Sequence, residues 1–284
     1  MRVAVLGQGR MGAAIATRLL QQGHAVVVWD RTADRTGPLV ARGAEAVVEL
    51  RDALARVDVA LTSLSNDDAV RQVALGDHGV VAGIGSGGAL YADASTISPE
   101  LSHEISLRYP AFVSTPISGS PELVGRGEAL YLAGGPEASL RILDPVLSAL
   151  SSHRHTYPEP RLAAAAKLSV NAVLLAGIVS LAEGLAVGRA GGLSDDQLRT
   201  LLAESPTVGP GLRGRFEAIL TGSGPTLWSV DLGSKDLGLA LALGREPADD
   251  PFPMVAAAKD RYDRASVEGL GGDDVAAVGR LYPH

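Results

Sequence analysis

Three groups of residues in this 284-residue chain have types and spacings suited to chemistry. Gly7, Gly9 and Gly12 make a GxGxxG run in VAVLGQGRMGAAIATRLLQQGHAVVVWD, and Asp30 closes the next apolar stretch about twenty residues on. Between a strand and a helix, Gly7 permits a tight turn, Gly9 admits a pyrophosphate to the backbone, and Gly12 lets helix and strand pack closely. N–H groups at the helix start then face the anion, with Gln8, Arg10 and Met11 in the same turn. Asp30 suits the ribose hydroxyls of NAD, whereas Arg31 and Thr32 directly after it suit the extra phosphate of NADP. These two signals conflict; the reading leans to NADP and keeps NAD open. A second literal match, Gly83, Gly85 and Gly88 in GIGSGG, precedes a strand instead of a helix and reads as a connection.

Lys167 and Asn171 stand four apart in a helix-forming stretch, which places them on one face, one turn apart. The flanking Leu, Ala and Val residues desolvate the ammonium, and desolvation lowers a lysine pKa toward the range useful for general acid–base work. Spacing alone is equally compatible with a lysine whose stem lies along apolar surface and whose tip reaches water. Ser118, Gly119 and Ser120 follow a strand end and offer two hydroxyls and glycine-freed N–H groups to a carboxylate; a plain turn fits the same residues.

Composition removes several other chemistries. There is no Cys, hence no disulfide, thiolate metal site or cysteine nucleophile, which fits a cytoplasmic protein. The net charge of −7 and an aromatic share of 4% argue against nucleic-acid binding. The six His residues show no metal-ligand spacing, so no metal is expected. Asp67 with Asp68 and Asp249 with Asp250 read as helix-start or loop carboxylates, and Ser180 and Ser194 lack a nucleophile-elbow setting. Glycines interrupt the apolar N-terminus, which reads as structure and not as a targeting leader. The apolar stretch 162–188 contains Lys167, Asn171 and Glu183, so it reads as a buried helix with no membrane association.

These groups need elements to position them. Through about residue 159 the pattern is a parallel sheet flanked by helices. The expected strands are RVAVLG, HAVVVWD, AEAVV, VDVALTSL, LYADAS and AFVSTPIS, followed by ALYLAGG and RHTYP. Helices should start near Met11, Ala33, Leu50, Asp67 and Pro99. Beyond Pro158 and Pro160 the chain turns wholly helical, with starts expected near Ser194 as an N-cap, Gly209, Lys235 and Phe252. The expectation is a Rossmann-type doubly wound α/β domain over 1–159 and an all-α domain over 160–284. Its apolar helices predict a homodimer or larger homo-oligomer.

Five stretches carry a more specific resemblance: VLGQGRMG with GHAVVVWDRT, DASTISP, PISGSPELVGRGEALYLAGG, AAAAKLSVNAVLLAGIVSLAEGLAVGRAGG and VDLGSKDLGLAL. In this order the chain resembles the β-hydroxyacid dehydrogenases, which include 3-hydroxyisobutyrate dehydrogenase and the glyoxylate/succinic semialdehyde reductases. The resemblance implies hydride transfer between NAD(P) and a small carboxylate bearing a β-hydroxyl or semialdehyde group. It implies Lys167 as general acid or base, Asn171 as orienting the substrate, and Ser118, Gly119 and Ser120 as holding its carboxylate. Lys235 would reach cofactor and substrate, with Asp236 steadying its helix. Thr96 would lie beside the nicotinamide ribose, and Leu64 and Ser65 along the adenosine side. SLSN departs from the family's usual leucine-proline pair, and SGS stands nearer the semialdehyde reductases than the SGG of the 3-hydroxyisobutyrate enzymes. An imine reductase on the same architecture and a non-catalytic cofactor-binding module are the rival readings; Lys167 with Asn171 favours the hydroxyacid one.

Overall fold

In the computed structural model, residues 1–85, 88–244 and 251–282 are described. Asp249 and Asp250 lie outside them, as do Ser86 and Gly87 within GIGSGG. The chain forms two compact units, Met1–Lys167 and Leu168–His284.

The first unit is built on nine strands: β1 (Arg2–Leu6), β2 (Ala25–Trp29), β3 (Glu45–Ala46), β4 (Val59–Thr62), β5 (Leu90–Asp93), β6 (Val113–Ser114), β7 (Ile117–Ser118), β8 (Leu130–Gly134) and β9 (Arg154–Tyr157). They join in one sheet of order β3-β2-β1-β4-β5-β6-β8-β7, with β9 also on β8. The first six run parallel, and the order reverses between β1 and β4. This is the doubly wound arrangement expected from alternating apolar strands and helices.

The helices are α1 (Arg10–Gln21), α2 (Gly37–Val40), α3 (Leu50–Ala53), α4 (Asp67–Leu75), α5 (Val80–Ile84), α6 (Pro99–Arg108), α7 (Pro121–Arg126) and α8 (Glu137–Leu150). Their apolar stripes cover both faces of the sheet, so the central strands read as unbroken apolar runs. Alternate residues then divide between two cores. Val3, Val5, Val59 and Leu61 pack with Ile15 and Leu19 of α1 and Leu143 and Val146 of α8. Ala4, Leu6, Ala60 and Tyr91 pack with Val70, Leu101 and Ile105 from α4 and α6.

Two differences from the sequence expectation have local causes. AFVSTPIS holds two strands, broken at Thr115–Pro116, because proline has no N–H for a ladder. Helix α8 fills a stretch where none was expected, with Pro145 inside it.

α9 (Pro160–Ala190) is one uninterrupted helix that contains the boundary between the units, and by length and composition it could cross a membrane. The second unit continues with α10 (Asp195–Glu204), α11 (Pro210–Arg213), α12 (Phe216–Thr221), α13 (Val230–Leu241) and α14 (Pro253–Ala265). Ser194 caps α10 in a capping box with Gln197, as its type and position predict. α13 starts at Val230 and not near Lys235, because Ser229 accepts the Leu232 N–H as its cap. Lys235 therefore sits mid-helix. Leu175, Ile178, Leu185, Phe216, Leu237 and Tyr262 belong to this unit's core.

Candidate functional site

The predicted residues that follow β1, β2, β4, β5 and β7 stand at the carboxyl ends of these strands, where open α/β sheets bind ligands. Gly7 has φ +97°, open to glycine alone among ordinary residues, and a Cβ there would stand 2.5 Å from the Ser63 carbonyl oxygen. A Cβ on Gly12 would stand 1.9 Å from the Gly7 carbonyl oxygen, so α1 leaves the turn at a distance that only glycine allows. Gly9 differs: a Cβ there meets nothing within 4 Å. It is the N-cap of α1, whose start has neither a capping side chain nor an acidic residue in its first turn. The positive end of a twelve-residue helix is thus left for an external anion, which fits a dinucleotide pyrophosphate.

Asp30 holds this turn in shape. Its carboxylate accepts the Gln8 N–H at 2.6 Å and the Thr32 N–H at 2.7 Å, and the Arg35 guanidinium lies 3.8 Å away. Gln8 turns its side chain inward to the Val5 carbonyl at 2.6 Å, so it shapes the turn from beneath. Arg31 and Thr32 are exposed just beyond. A cavity of about 680 Å³ borders the turn, and Gly9, Arg10, Arg35 and Arg42 are among its lining residues. Arg35 was not singled out from the sequence, although it stands one short 3-10 turn after Thr32.

Leu64, Ser65 and Thr96 follow β4 and β5. The Leu64 N–H donates to the Ser95 hydroxyl at 2.8 Å, and that hydroxyl donates to Asp93 at 2.7 Å. Asp93 and Ser95 were also missed; the only signal is a carboxylate closing an apolar strand among hydroxyl residues. Burial pushes the Asp93 carboxyl up to about 6, against the opposing pull of hydrogen bonds from Thr62 and Ser95.

β6 and β7 both pair antiparallel with β8, so β7 runs in the sense of the parallel strands and Ser118 leaves on their carboxyl side. Ser120 caps α7, accepting the Leu123 N–H at 3.3 Å, and its hydroxyl helps hold the Glu122 carboxyl below its usual range. Ser118 and the backbone around Gly119 are then the groups of this segment best suited to a ligand carboxylate.

Lys167 is 9% exposed, and Asn171 follows one turn later on α9. In the second unit Asn171 meets Asp236: its amide donates to Oδ2 at 2.7 Å, and Lys235 Nζ lies 2.7 Å from Oδ1. Asp236, 3% exposed, thereby ties Asn171 to Lys235. No cluster of three or more potential metal-ligating side chains occurs among the described residues.

Residues 2–158 match the family model for the NAD binding domain of 6-phosphogluconate dehydrogenase, and residues 162–282 match that for the NAD-binding region of NADP-dependent 3-hydroxyisobutyrate dehydrogenase. An uncharacterized oxidoreductase of Bacillus subtilis, YfjR, is 30% identical, with 98% of each chain covered. The cytokine-like nuclear factor N-PAC of Homo sapiens is 31% identical over all of this chain and 52% of its own length. The chain spans about half the length of the first of the curated relatives it matches. Among solved structures, 3-hydroxyisobutyrate dehydrogenase from Salmonella typhimurium superposes with a TM-score of 0.89 at 26% identity, covering 99% of this chain and 100% of that one.

Proposed function

The chain belongs to the β-hydroxyacid dehydrogenase family of NAD(P)-binding oxidoreductases, and we propose that it interconverts a small β-hydroxy acid and its semialdehyde, using NADP in preference to NAD. The observation that carries this reading is the buried Lys167 one helical turn before an Asn171 whose amide is already held by Asp236.

The turn at Gly7, Gly9 and Gly12 would hold the pyrophosphate, with Leu64 and Ser65 on the adenosine side and Thr96 beside the nicotinamide ribose. When bound, the nicotinamide supplies or accepts the hydride. Ser118 and the N–H groups of Gly119 and Ser120 hold the substrate carboxylate, which fixes the reacting carbon for attack. In reduction the Lys167 ammonium gives a proton to the oxygen that gains charge; in oxidation the neutral amine takes it back. Asn171, held by the hydrogen bond from its amide to Asp236, orients the substrate beside Lys167. Lys235, anchored on the same carboxylate, adds positive charge for the anionic substrate.

Reduced-nicotinamide absorbance tests the reading, with NADPH and NADH offered alongside succinic semialdehyde, glyoxylate and methylmalonate semialdehyde. Turnover that Lys167→Ala abolishes, with dinucleotide binding retained, is the expected result. Lys167→Ala at normal turnover would refute the proton-transfer role, and turnover of cyclic imines alone would move the reading to imine reduction.

We also propose a homodimer through α9. Val173 and Val187 on this apolar helix are 77% and 73% exposed, and a second copy of the chain is the partner that would cover them. Light scattering at micromolar concentration should give twice the chain mass or more; a monomer overturns this.

A further inference from the structure

The segments after β4 and β5 are joined at two points. The Leu64 N–H donates to the Ser95 hydroxyl at 2.8 Å, and farther along Ser98 donates its N–H and hydroxyl to Asp67 at 3.0 and 2.5 Å. The first join rests on Asp93. Its Oδ1 accepts hydroxyls from Thr62 at 2.6 Å and Ser95 at 2.7 Å, and lies 3.3 Å from the Ser95 N–H. Asp93 is fully buried as the last residue of β5, in register with Thr62 of β4 and Ser114 of β6. Neither its Oδ2 nor the Ser114 hydroxyl has a hydrogen-bond partner among the described residues.

A carboxyl in such a place costs stability that an apolar side chain would not. What it gives in return is direction. With its proton committed to Asp93, the Ser95 hydroxyl turns its lone pairs to the Leu64 N–H, so the order Leu64 to Ser95 to Asp93 runs one way. This fixes Leu64 and Ser65 on one segment, and it fixes Thr96, next to Ser95, on the other. Both stand beside the point between β1 and β4 where the strand order reverses and a dinucleotide is received.

We propose that Asp93 is a positioning residue for the dinucleotide: through Thr62 and Ser95 it sets the segments after β4 and β5 in the arrangement that receives the cofactor. The proposal rests on the reading that Leu64, Ser65 and Thr96 line that cofactor.

The test is titration of the full chain with NADPH and NADH, read by nucleotide fluorescence, alongside the melting temperature of each variant. Asp93→Ala and Ser95→Ala should raise Kd about tenfold, the effect of losing one to two hydrogen bonds' worth of preorganisation. The rise should appear in the dinucleotide KM more than in kcat. Asp93→Asn keeps an acceptor oxygen for Thr62 and Ser95 and should bring Kd back to within about threefold of the wild type. Val146→Ala, in the core of the same unit and outside the hydrogen bonds that Asp93 makes, should lower the melting temperature and leave Kd in place. Should Asp93→Ala fail to fold, Ser95→Ala, which removes one hydroxyl, decides the matter. Wild-type Kd in Ser95→Ala, or a rise that Val146→Ala matches, overturns the positioning role. A wild-type chain that binds neither dinucleotide overturns the underlying reading as well.

Discussion

Asn171 and Asp236, 65 residues apart in sequence, are joined by an amide-to-carboxylate hydrogen bond of 2.7 Å in the buried part of the helical unit. The bond holds the Asn171 side chain in one orientation on α9. It also couples α9 to α13, where Lys235 engages the other oxygen of the same carboxylate.

Asp236→Ala should therefore act on chemistry more than on cofactor binding. Misplacement of an orienting group costs up to about a hundredfold in rate, and we expect kcat to fall by about ten- to a hundredfold with the NADPH Kd within a factor of about two. Loss of this acceptor beneath a buried amide should also lower the unfolding free energy by about 1–3 kcal/mol. Steady-state kinetics with parallel urea denaturation separates the two effects; an unchanged kcat would remove Asp236 from the mechanism.

Gly9 and Gly12 should respond in opposite ways to one added methyl group. At Gly12 the methyl would overlap the Gly7 carbonyl oxygen, and because that neighbour is backbone, Gly12→Ala should destabilise the fold by about 1–3 kcal/mol or more. At Gly9 it enters open space, so Gly9→Ala should stay within about 1 kcal/mol of the wild type while losing dinucleotide affinity, because the methyl stands where a pyrophosphate approaches. Thermal melts with and without NADPH read both. Unaltered affinity in a stable Gly9→Ala would move the phosphate site elsewhere.

Cofactor preference should depend on arginine more than on Asp30. Both Asp30 oxygens accept backbone N–H groups of the turn, so Asp30→Ala should weaken NADH and NADPH alike. Arg31→Ala and Arg35→Ala each remove a charge suited to a phosphate and should lower kcat/KM for NADPH by about tenfold, with NADH little changed. An equal loss with both nucleotides would argue for NAD as the natural cofactor.

Much of this was legible in the sequence because apolar strands and the Gly7–Gly12 spacing are local signals. Lys167 and Asn171 share a helix face by arithmetic alone. What spacing does not carry is long-range pairing: Asp236 meeting Asn171, or Asp93 joining Thr62 and Ser95 across two strands, leaves no periodic trace. Proline hid two local features as well, Pro116 dividing one expected strand and Pro145 masking α8. Ser229, the cap of α13, was passed over because Gly233 interrupts the helical pattern that follows it.

Asp93 should leave its own mark on the pH dependence of stability. Its carboxyl is pushed up from 3.8 to about 6, first by burial, with a smaller contribution from the Asp67 charge, and hydrogen bonds from Thr62 and Ser95 limit the rise. Between these values the folded chain keeps a proton that the unfolded chain releases. Unfolding then sheds a proton, so stability falls as pH rises through the window from about 4 to about 6. A difference near two pH units corresponds to about 3 kcal/mol, present in full below the window and lost above it. Asp93→Asn has no such titration. Urea denaturation at pH 4, 5, 6 and 7 should show the wild type losing about 2 kcal/mol relative to Asp93→Asn across that span, since every other titrating group is common to both. Parallel curves for the two proteins would mean that Asp93 is ionised throughout, and that Thr62 and Ser95 stabilise its charge more than burial opposes it.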